Sequence, residues 1–251
     1  MALMDKFRLD GKVALVTGAG RNLGKEIALC FAEAGADVVV TSRTLSEIEK
    51  TAEEIKERGR KALAILMDVT KFSQVEQGVQ RIVSEFGRID ILVNNSATRN
   101  FKPLLEIPEE EWRGVIDTNL TGAFFCCKAV GPVMIRQGGG RVINISSLAG
   151  VRGRANRTAY CASKAGLILL TQALALEWAP YNIFVNAVSP GKMATDRWYK
   201  ASKEYREERM GQSPLKRPVE FKEVVPLILY LATEACTFMT GEFVGTTVKL
   251  S

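Results

Sequence analysis

The chain has 251 residues, 34 Lys+Arg against 28 Asp+Glu for a net charge of +6, five cysteines and no histidine. That length suits one α/β domain with a substantial core, and apolar and charged fractions of 47% and 25% exclude disordered and fibrous classes. Without imidazole, Ser-His-Asp hydrolases, His-ligated metal centres and histidine-based dehydrogenases drop out, leaving Tyr, Lys, Cys and carboxylates to move protons.

Cys30, Cys126, Cys127, Cys161 and Cys236 include no Cys-x-x-Cys pair and read as reduced thiols, so neither a disulfide frame nor a metal site is expected. Basic residues are mixed with acidic ones, as over residues 44–60, so the positive balance points to a solvated surface with some pull on anionic ligands. No nucleic-acid partner is expected. No unbroken apolar run approaches the roughly 20 residues of a bilayer span. The first ten residues lack the charged start, apolar centre and cleavage site of a signal peptide, so a cytoplasmic location without a membrane partner is expected.

The first predicted strand, residues 13–17, runs into Thr17-Gly18-Ala19-Gly20-Arg21-Asn22-Leu23-Gly24-Lys25, and a helix follows over 23–34. Such a turn brings backbone close to a pyrophosphate, and the helix N-terminus offers free N–H groups and a positive dipole end. Gly18, Arg21, Asn22, Leu23 and Gly24 are therefore candidate dinucleotide contacts. The second strand, 38–41, ends in Thr41-Ser42-Arg43. An NAD site normally carries a carboxylate here, whereas Ser42 and Arg43 suit a 2′-phosphate, so the expected cofactor is NADP(H). Arg21, in the facing turn, is placed either to stack on adenine or to add a second contact.

Further strands are predicted over 62–67, 89–93, 141–145 and 183–188, with a short run at 243–248; helices are predicted over 45–58, 72–86, 109–136 and 162–179. Alternating apolar strands and amphipathic helices predict a doubly wound parallel sheet, a Rossmann-type α/β fold of about seven strands forming a single domain over 1–251. Irregular, charged sequence around Trp198 and Tyr199 follows the sixth strand, and residues 192–217 are read as a substrate lid with Trp198 as a substrate contact.

Tyr160-Cys161-Ala162-Ser163-Lys164 sets a phenol and an ammonium four residues apart on one helix face. A nearby cation stabilises a phenolate, so the pair suits proton exchange with a carbonyl oxygen. Tyr199-Lys200-Ala201-Ser202-Lys203 repeats the spacing, but only the first copy has a serine, Ser147, thirteen residues upstream at the end of a strand. Tyr160 and Lys164 are therefore the expected active pair.

Thr17-Gly18…Gly24, Asp68-Val69, Asn94-Asn95, Asn119, Ser147, Tyr160…Lys164 and Pro190-Gly191…Thr195 follow in order. With these signatures the sequence resembles the short-chain dehydrogenase/reductase family over nearly its whole length. The resemblance implies a catalytic tetrad of Asn119, Ser147, Tyr160 and Lys164. In it Tyr160 is the general acid or base, Lys164 lowers its pKa and binds the nicotinamide ribose, Ser147 polarises the substrate oxygen, and Asn119 interrupts the fourth helix and holds a water. It also implies that Asp68 and Val69 meet the adenine, Asn94 lines the cofactor, and Pro190, Gly191 and Thr195 hold the carboxamide. A homo-oligomer, tetramer or dimer, is implied too.

Three departures stand out. Asn22 replaces the second glycine of the turn; Ser96-Ala97, followed by Thr98-Arg99-Asn100, makes the pocket edge bulkier and more polar; and the usual C-terminal Asp-Gly-Gly is absent, which leaves tetramer packing open. Within the family the sequence is most similar to 3-oxoacyl-(acyl-carrier-protein) reductases and to sugar-acid or polyol dehydrogenases. Carrier docking in the former uses basic residues at two places, occupied here by Gly138 and Tyr181, with Arg136 and Arg141 as nearby substitutes. Arg99, Arg152, Arg154 and Lys192 lie in loops expected around the pocket, which favours an anionic or strongly polar carbonyl or alcohol substrate. A 3-oxoacyl thioester, a sugar acid or other polar ketone, and a non-catalytic regulatory role on the same dinucleotide fold all remain open at this point.

Overall fold

The structure, a computed structural model, describes residues 2–246 apart from 212 and 214. Its first half contains β1 (Val13–Thr17), α1 (Asn22–Glu33), β2 (Asp37–Ser42), α2 (Leu45–Lys56), β3 (Ala62–Leu66), α3 (Phe72–Phe86), β4 (Ile91–Asn94), α4 (Glu109–Ile116) and α5 (Gly122–Arg136). There follow β5 (Gly140–Ile145), α6 (Thr158–Trp178), β6 (Ile183–Ser189), α7 (Asp196–Tyr199), α8 (Lys203–Gly211), α9 (Phe221–Ala232) and β7 (Phe243–Gly245). The final residues of the expected 243–248 run lie outside the described residues.

Every strand pairing is parallel, and the strand order is β3-β2-β1-β4-β5-β6-β7. All residues of β1, β4 and β5 are buried, as a parallel sheet covered on both faces requires. On one face Ile27 and Phe31 of α1, Ile48 and Ile55 of α2 and Val224 and Ile228 of α9 pack together; on the other, Val75 and Ile82 of α3 meet Cys126, Val130 and Met134 of α5. The doubly wound sheet is the expected one. The direction of winding reverses between β1 and β4, so a crevice opens beyond their carboxyl ends.

Three elements differ from the sequence reading. The single helix expected over 109–136 is broken by a π-helical turn, Asp117–Thr121, whose extra residue per turn brings Asn119 inward until it is 1% exposed. Helix α6 starts at Thr158, before the expected position. Helix α9 was not among the expected helices; although Pro226 lies inside it, its apolar face packs on α1 and holds it helical despite the missing N–H.

The helical stretches Glu109–Arg136 and Thr158–Tyr181 are long and apolar enough on average to cross a membrane, although neither contains the unbroken run sought in the sequence. Their composition is that of helices laid along a sheet, α5 against β4 and β5 and α6 against β6. Residues 192–217 contain the short α7 and α8, and their base is closed by a Met193–Val219 bridge.

Candidate active site

A cleft of about 900 Å³ follows the carboxyl ends of the strands. Gly18 has φ +63°, and a Cβ at Gly24 would come within 2.2 Å of the Gly18 carbonyl oxygen, so both positions need glycine. Asn22 takes φ +49°, the left-handed conformation that asparagine tolerates. Among the described residues no side chain caps α1, so its first N–H groups have no side-chain acceptor there, at the cleft where Leu23 and Gly24 lie. The Asn22 amide also spans to the start of α7: Nδ2 donates to Asp196 Oδ2 and Oδ1 accepts from the Asp196 N–H, both at 3.2 Å.

The Asn94-Asn95 pair is split by strand alternation. Asn94, buried at the end of β4, turns away from the cleft and donates to Asn144 Oδ1 at 2.8 Å, so its side chain does not line the cofactor cleft as expected. Asn95 does line it, and its Nδ2 donates to the carbonyls of Thr17 and Gly18 at 3.0 Å each, pinning the glycine turn. Ser42, Arg43 and Arg21 line the far end of the cleft, as do Asp68 and Val69. Asp68 Oδ1 accepts from the backbone N–H and hydroxyl of Thr70, which fixes the turn after β3. Sequence reasoning missed Glu47, whose side chain lies against Gly20 in the same cleft; one turn of helix beyond the strand tip, it was outside the motif searched.

Ser147, Tyr160 and Lys164 meet in the cleft. A short turn after β5 places Ser147, and Ser146 Oγ donates to the Lys164 carbonyl at 3.1 Å, which locks that turn onto α6. Lys164 is 2% exposed; its Nζ donates to the Ile145 carbonyl at 2.7 Å and lies 5.8 Å from the centre of the Tyr160 ring. Asn119 Oδ1 accepts from Thr98 N at 2.8 Å, while Nδ2 donates to Thr98 O and to Ser163 Oγ. Its side chain thus ties the loop carrying Arg99 to the turn of helix that carries Lys164, and it is not among the residues lining the cleft. The second Tyr-Lys copy is split between α7 and α8, and Tyr199 is exposed.

Burial raises the Tyr160 phenol above its ordinary value, and the opposing pull comes first from a hydrogen bond with Ser147 and then from Arg99 and Arg157. Lys164 is itself desolvated, its ammonium pushed down to about 8. The folded state is therefore penalised wherever the unfolded lysine is charged, fully below pH 8 and less as pH rises from there toward 10.5. That lowering corresponds to about 3 kcal/mol, of which the lost bond to Ile145 would offset part, so Lys164→Met should stabilise the cofactor-free protein by about 1–2 kcal/mol at neutral pH. Thermal or urea denaturation would show the gain shrinking toward pH 10; a less stable variant at neutral pH would contradict the assignment.

Arg99, Arg154 and Trp198 line the cleft, and so do Pro190, Gly191 and Thr195. Arg157 and Phe101 join them without having been singled out. Arg157 lies over the Phe101 ring at 4.6 Å and Arg99 at 5.4 Å; the spacing of three residues from Arg157 to Tyr160 was the available signal. Arg141 is no candidate for carrier docking: it is 9% exposed at the amino end of β5, stacked 4.0 Å from the Phe184 ring centre, at the end of the sheet away from the cleft.

A family model described as short chain dehydrogenase matches residues 12–206. The chain is a short-chain dehydrogenase/reductase. It is 39% identical over 232 residues to a 3-oxoacyl-(acyl-carrier-protein) reductase of Staphylococcus epidermidis, a match covering 92% of this chain and 95% of the relative. The crystal structure of a short-chain type dehydrogenase/reductase from Mycobacterium marinum is similar with a TM-score of 0.92 and 38% identity over 97% of each chain. A gluconate 5-dehydrogenase from Burkholderia cenocepacia, crystallised with NADP and tartrate, gives a TM-score of 0.93 at 31% identity, covering 98% of this chain and 97% of that one. This short-chain dehydrogenase is thus an oxidoreductase whose fold takes a nicotinamide dinucleotide and a small-molecule substrate.

Proposed function

We propose that the protein interconverts a ketone and a secondary alcohol with NADP(H), Tyr160 exchanging the proton at the substrate oxygen. The observation that carries this is the meeting of Ser147, Tyr160 and Lys164 in the cleft entered by the glycine turn. When bound, the dinucleotide supplies or accepts the hydride. The glycine contacts, the α1 N-terminus and the basic tip of β2 suit its pyrophosphate and 2′-phosphate. Ser147 donates a hydrogen bond to the carbonyl oxygen, and the Lys164 ammonium, with one N–H on Ile145, has two left for ribose hydroxyls. Asn119 is a positioning residue that holds α6 against the Arg99 loop. Because burial keeps the Tyr160 phenol protonated at neutral pH, the site suits reduction; oxidation needs that proton removed first.

Two substrate classes have support. Reductases of 3-oxoacyl thioesters are among the relatives at 37–39% identity. A polar anionic ketone such as a sugar acid is favoured by the arginines along the cleft. Incubation with NADPH and S-acetoacetyl-N-acetylcysteamine or an oxo acid tests the reaction: hydroxy product is expected, and NADPH binding without product from any ketone would support a regulatory role instead.

Residues 192–217 act as a lid over this site, and the paired bonds between Asn22 and Asp196 hold it to the glycine turn. Asn22→Gly removes both bonds, and NADPH release measured by stopped flow should accelerate about 3- to 10-fold. An unchanged release rate would separate the lid from the cofactor. Phe124 on α5 and Leu169 and Leu176 on α6 are exposed apolar side chains that suit burial against a second copy, in a dimer or tetramer.

A further inference from the structure

Helix α2 seats two side chains on the glycine turn. Thr51 Oγ1 donates to the carbonyls of Ala19 and Glu47, both at 3.1 Å, and Glu47, one helical turn earlier on the same face, lies over Gly20. Gly20 has no positive φ to require a glycine; a Cβ there would instead come within 2.7 Å of Glu47 Cβ and 2.8 Å of Oε2. Glu47 is half-buried in the cleft wall, and its carboxylate has no hydrogen-bond or ion-pair partner among the described residues. Farther along α2, Glu53 and Glu54 are paired with Lys56 and Lys25. Arg21 and Arg43 line the same end of the cleft, yet neither pairs with Glu47.

A carboxylate drawn partly out of water without a donor carries a desolvation cost that a ligand hydroxyl relieves. Ribose hydroxyls are such donors, whereas a phosphate at the same place offers none and repels. NAD-binding sites keep an acid about 20 residues past the glycine turn for this purpose. Glu47 falls at about that distance from Gly24, and it enters from the first turn of α2 instead of the tip of β2, where Arg43 stands. Arg21 and Arg43 are exposed, so solvent and salt screen their attraction for a 2′-phosphate. Opposite charges thus line one end of the cleft, neither cancelled by the other.

We propose that Glu47 is a specificity-determining residue. Its carboxylate accepts a hydrogen bond from the adenosine 2′-hydroxyl of NAD(H) and opposes the 2′-phosphate of NADP(H), so that the protein binds both dinucleotides. This deepens the NADP(H) reading and rests on its placement of the adenosine ribose at the β2 end of the cleft.

The test is calorimetric binding of NADPH, NADH and NADH lacking the adenosine 2′-hydroxyl, to the unaltered protein and to Glu47→Gln. NADPH and NADH should bind the unaltered protein within about 30-fold of each other, and loss of the 2′-hydroxyl should weaken NADH about 10-fold. Glu47→Gln should weaken NADH and tighten NADPH, moving their ratio about 10-fold or more. It should also shrink the penalty for the missing hydroxyl to about threefold or less. Equal weakening of both dinucleotides would mean that Glu47 only shapes the turn, and would overturn the proposal; so would an unmoved ratio. If Glu47→Gln does not fold, equal affinity of the unaltered protein for NADH and its deoxy analogue would overturn it instead. NADPH bound more than about 30-fold tighter than NADH would overturn the dual use and leave NADP(H) as the cofactor. Binding of NADH that depends on Glu47, with no binding of NADPH, would overturn NADP(H) as the cofactor, and dual use with it, while keeping Glu47 as the ribose acceptor.

Discussion

Tyr160→Phe should lower kcat for ketone reduction about a thousandfold while NADPH affinity stays within about twofold. The substitution removes one oxygen and keeps the ring that packs 5.8 Å from Lys164 Nζ. Fold and cofactor cleft are therefore preserved, and only the hydroxyl proposed to give the proton is lost. The buried phenol is held protonated, so in reduction it is ready to donate, and no histidine exists in the chain to replace it. Lys164 is a poor substitute because its Nζ is held at the Ile145 carbonyl, 2.7 Å away, with its two other N–H groups proposed to serve the ribose hydroxyls. Steady-state kinetics beside calorimetric NADPH binding would check both halves. Unchanged turnover would remove Tyr160 as proton donor.

The second large effect concerns cofactor choice. Arg43→Asp replaces the cation at the β2 tip with an anion at the position where NAD-binding sites usually hold one. Each charge-assisted hydrogen bond to a phosphate is worth about 1.5–3 kcal/mol, and the new carboxylate adds repulsion. The kcat/KM for NADPH should fall about 100-fold or more, and that for NADH should rise as the carboxylate accepts from ribose hydroxyls. Glu47 already brings a carboxylate to the neighbourhood of Gly20, so the proposed preference for the phosphate requires Arg43, Ser42 and Arg21 to outweigh it. The ratio of the two efficiencies decides the matter, and an unaltered ratio would refute the role of Arg43.

The frame of this molecule was legible because its physical signals are local. Strands such as Val13–Thr17 are buried on both faces, which forces β-branched runs that cannot be mistaken for surface, and the glycine turn has to sit where β1 meets α1. The choice between two Tyr-Lys copies also came from local context, since only Tyr160 has a strand-end serine at the right distance. What escaped depends on long-range packing or on direction. Asn94 and Asn95 are adjacent in sequence, yet pleat alternation sends one to Asn144 and the other to the glycine turn. Helix α9 was not predicted, and with Pro226 inside it its stability lies in contacts with α1 rather than in its own propensity. The raised phenol and lowered ammonium follow from burial, which residue spacing does not reveal. Arg157 was missed because its contact with the ring of Phe101, from a distant loop, is made only in the fold.

A single turnover with NADPH deuterated at the transferring carbon of its nicotinamide tests the whole account most directly. With the unaltered enzyme and 4-oxopentanoate or S-acetoacetyl-N-acetylcysteamine, mass spectrometry should find the deuterium on the carbinol carbon of the product, and Tyr160→Phe should slow its arrival about a thousandfold. Deuterium that stays on the cofactor, or that reaches product equally fast without the phenol hydroxyl, would contradict it.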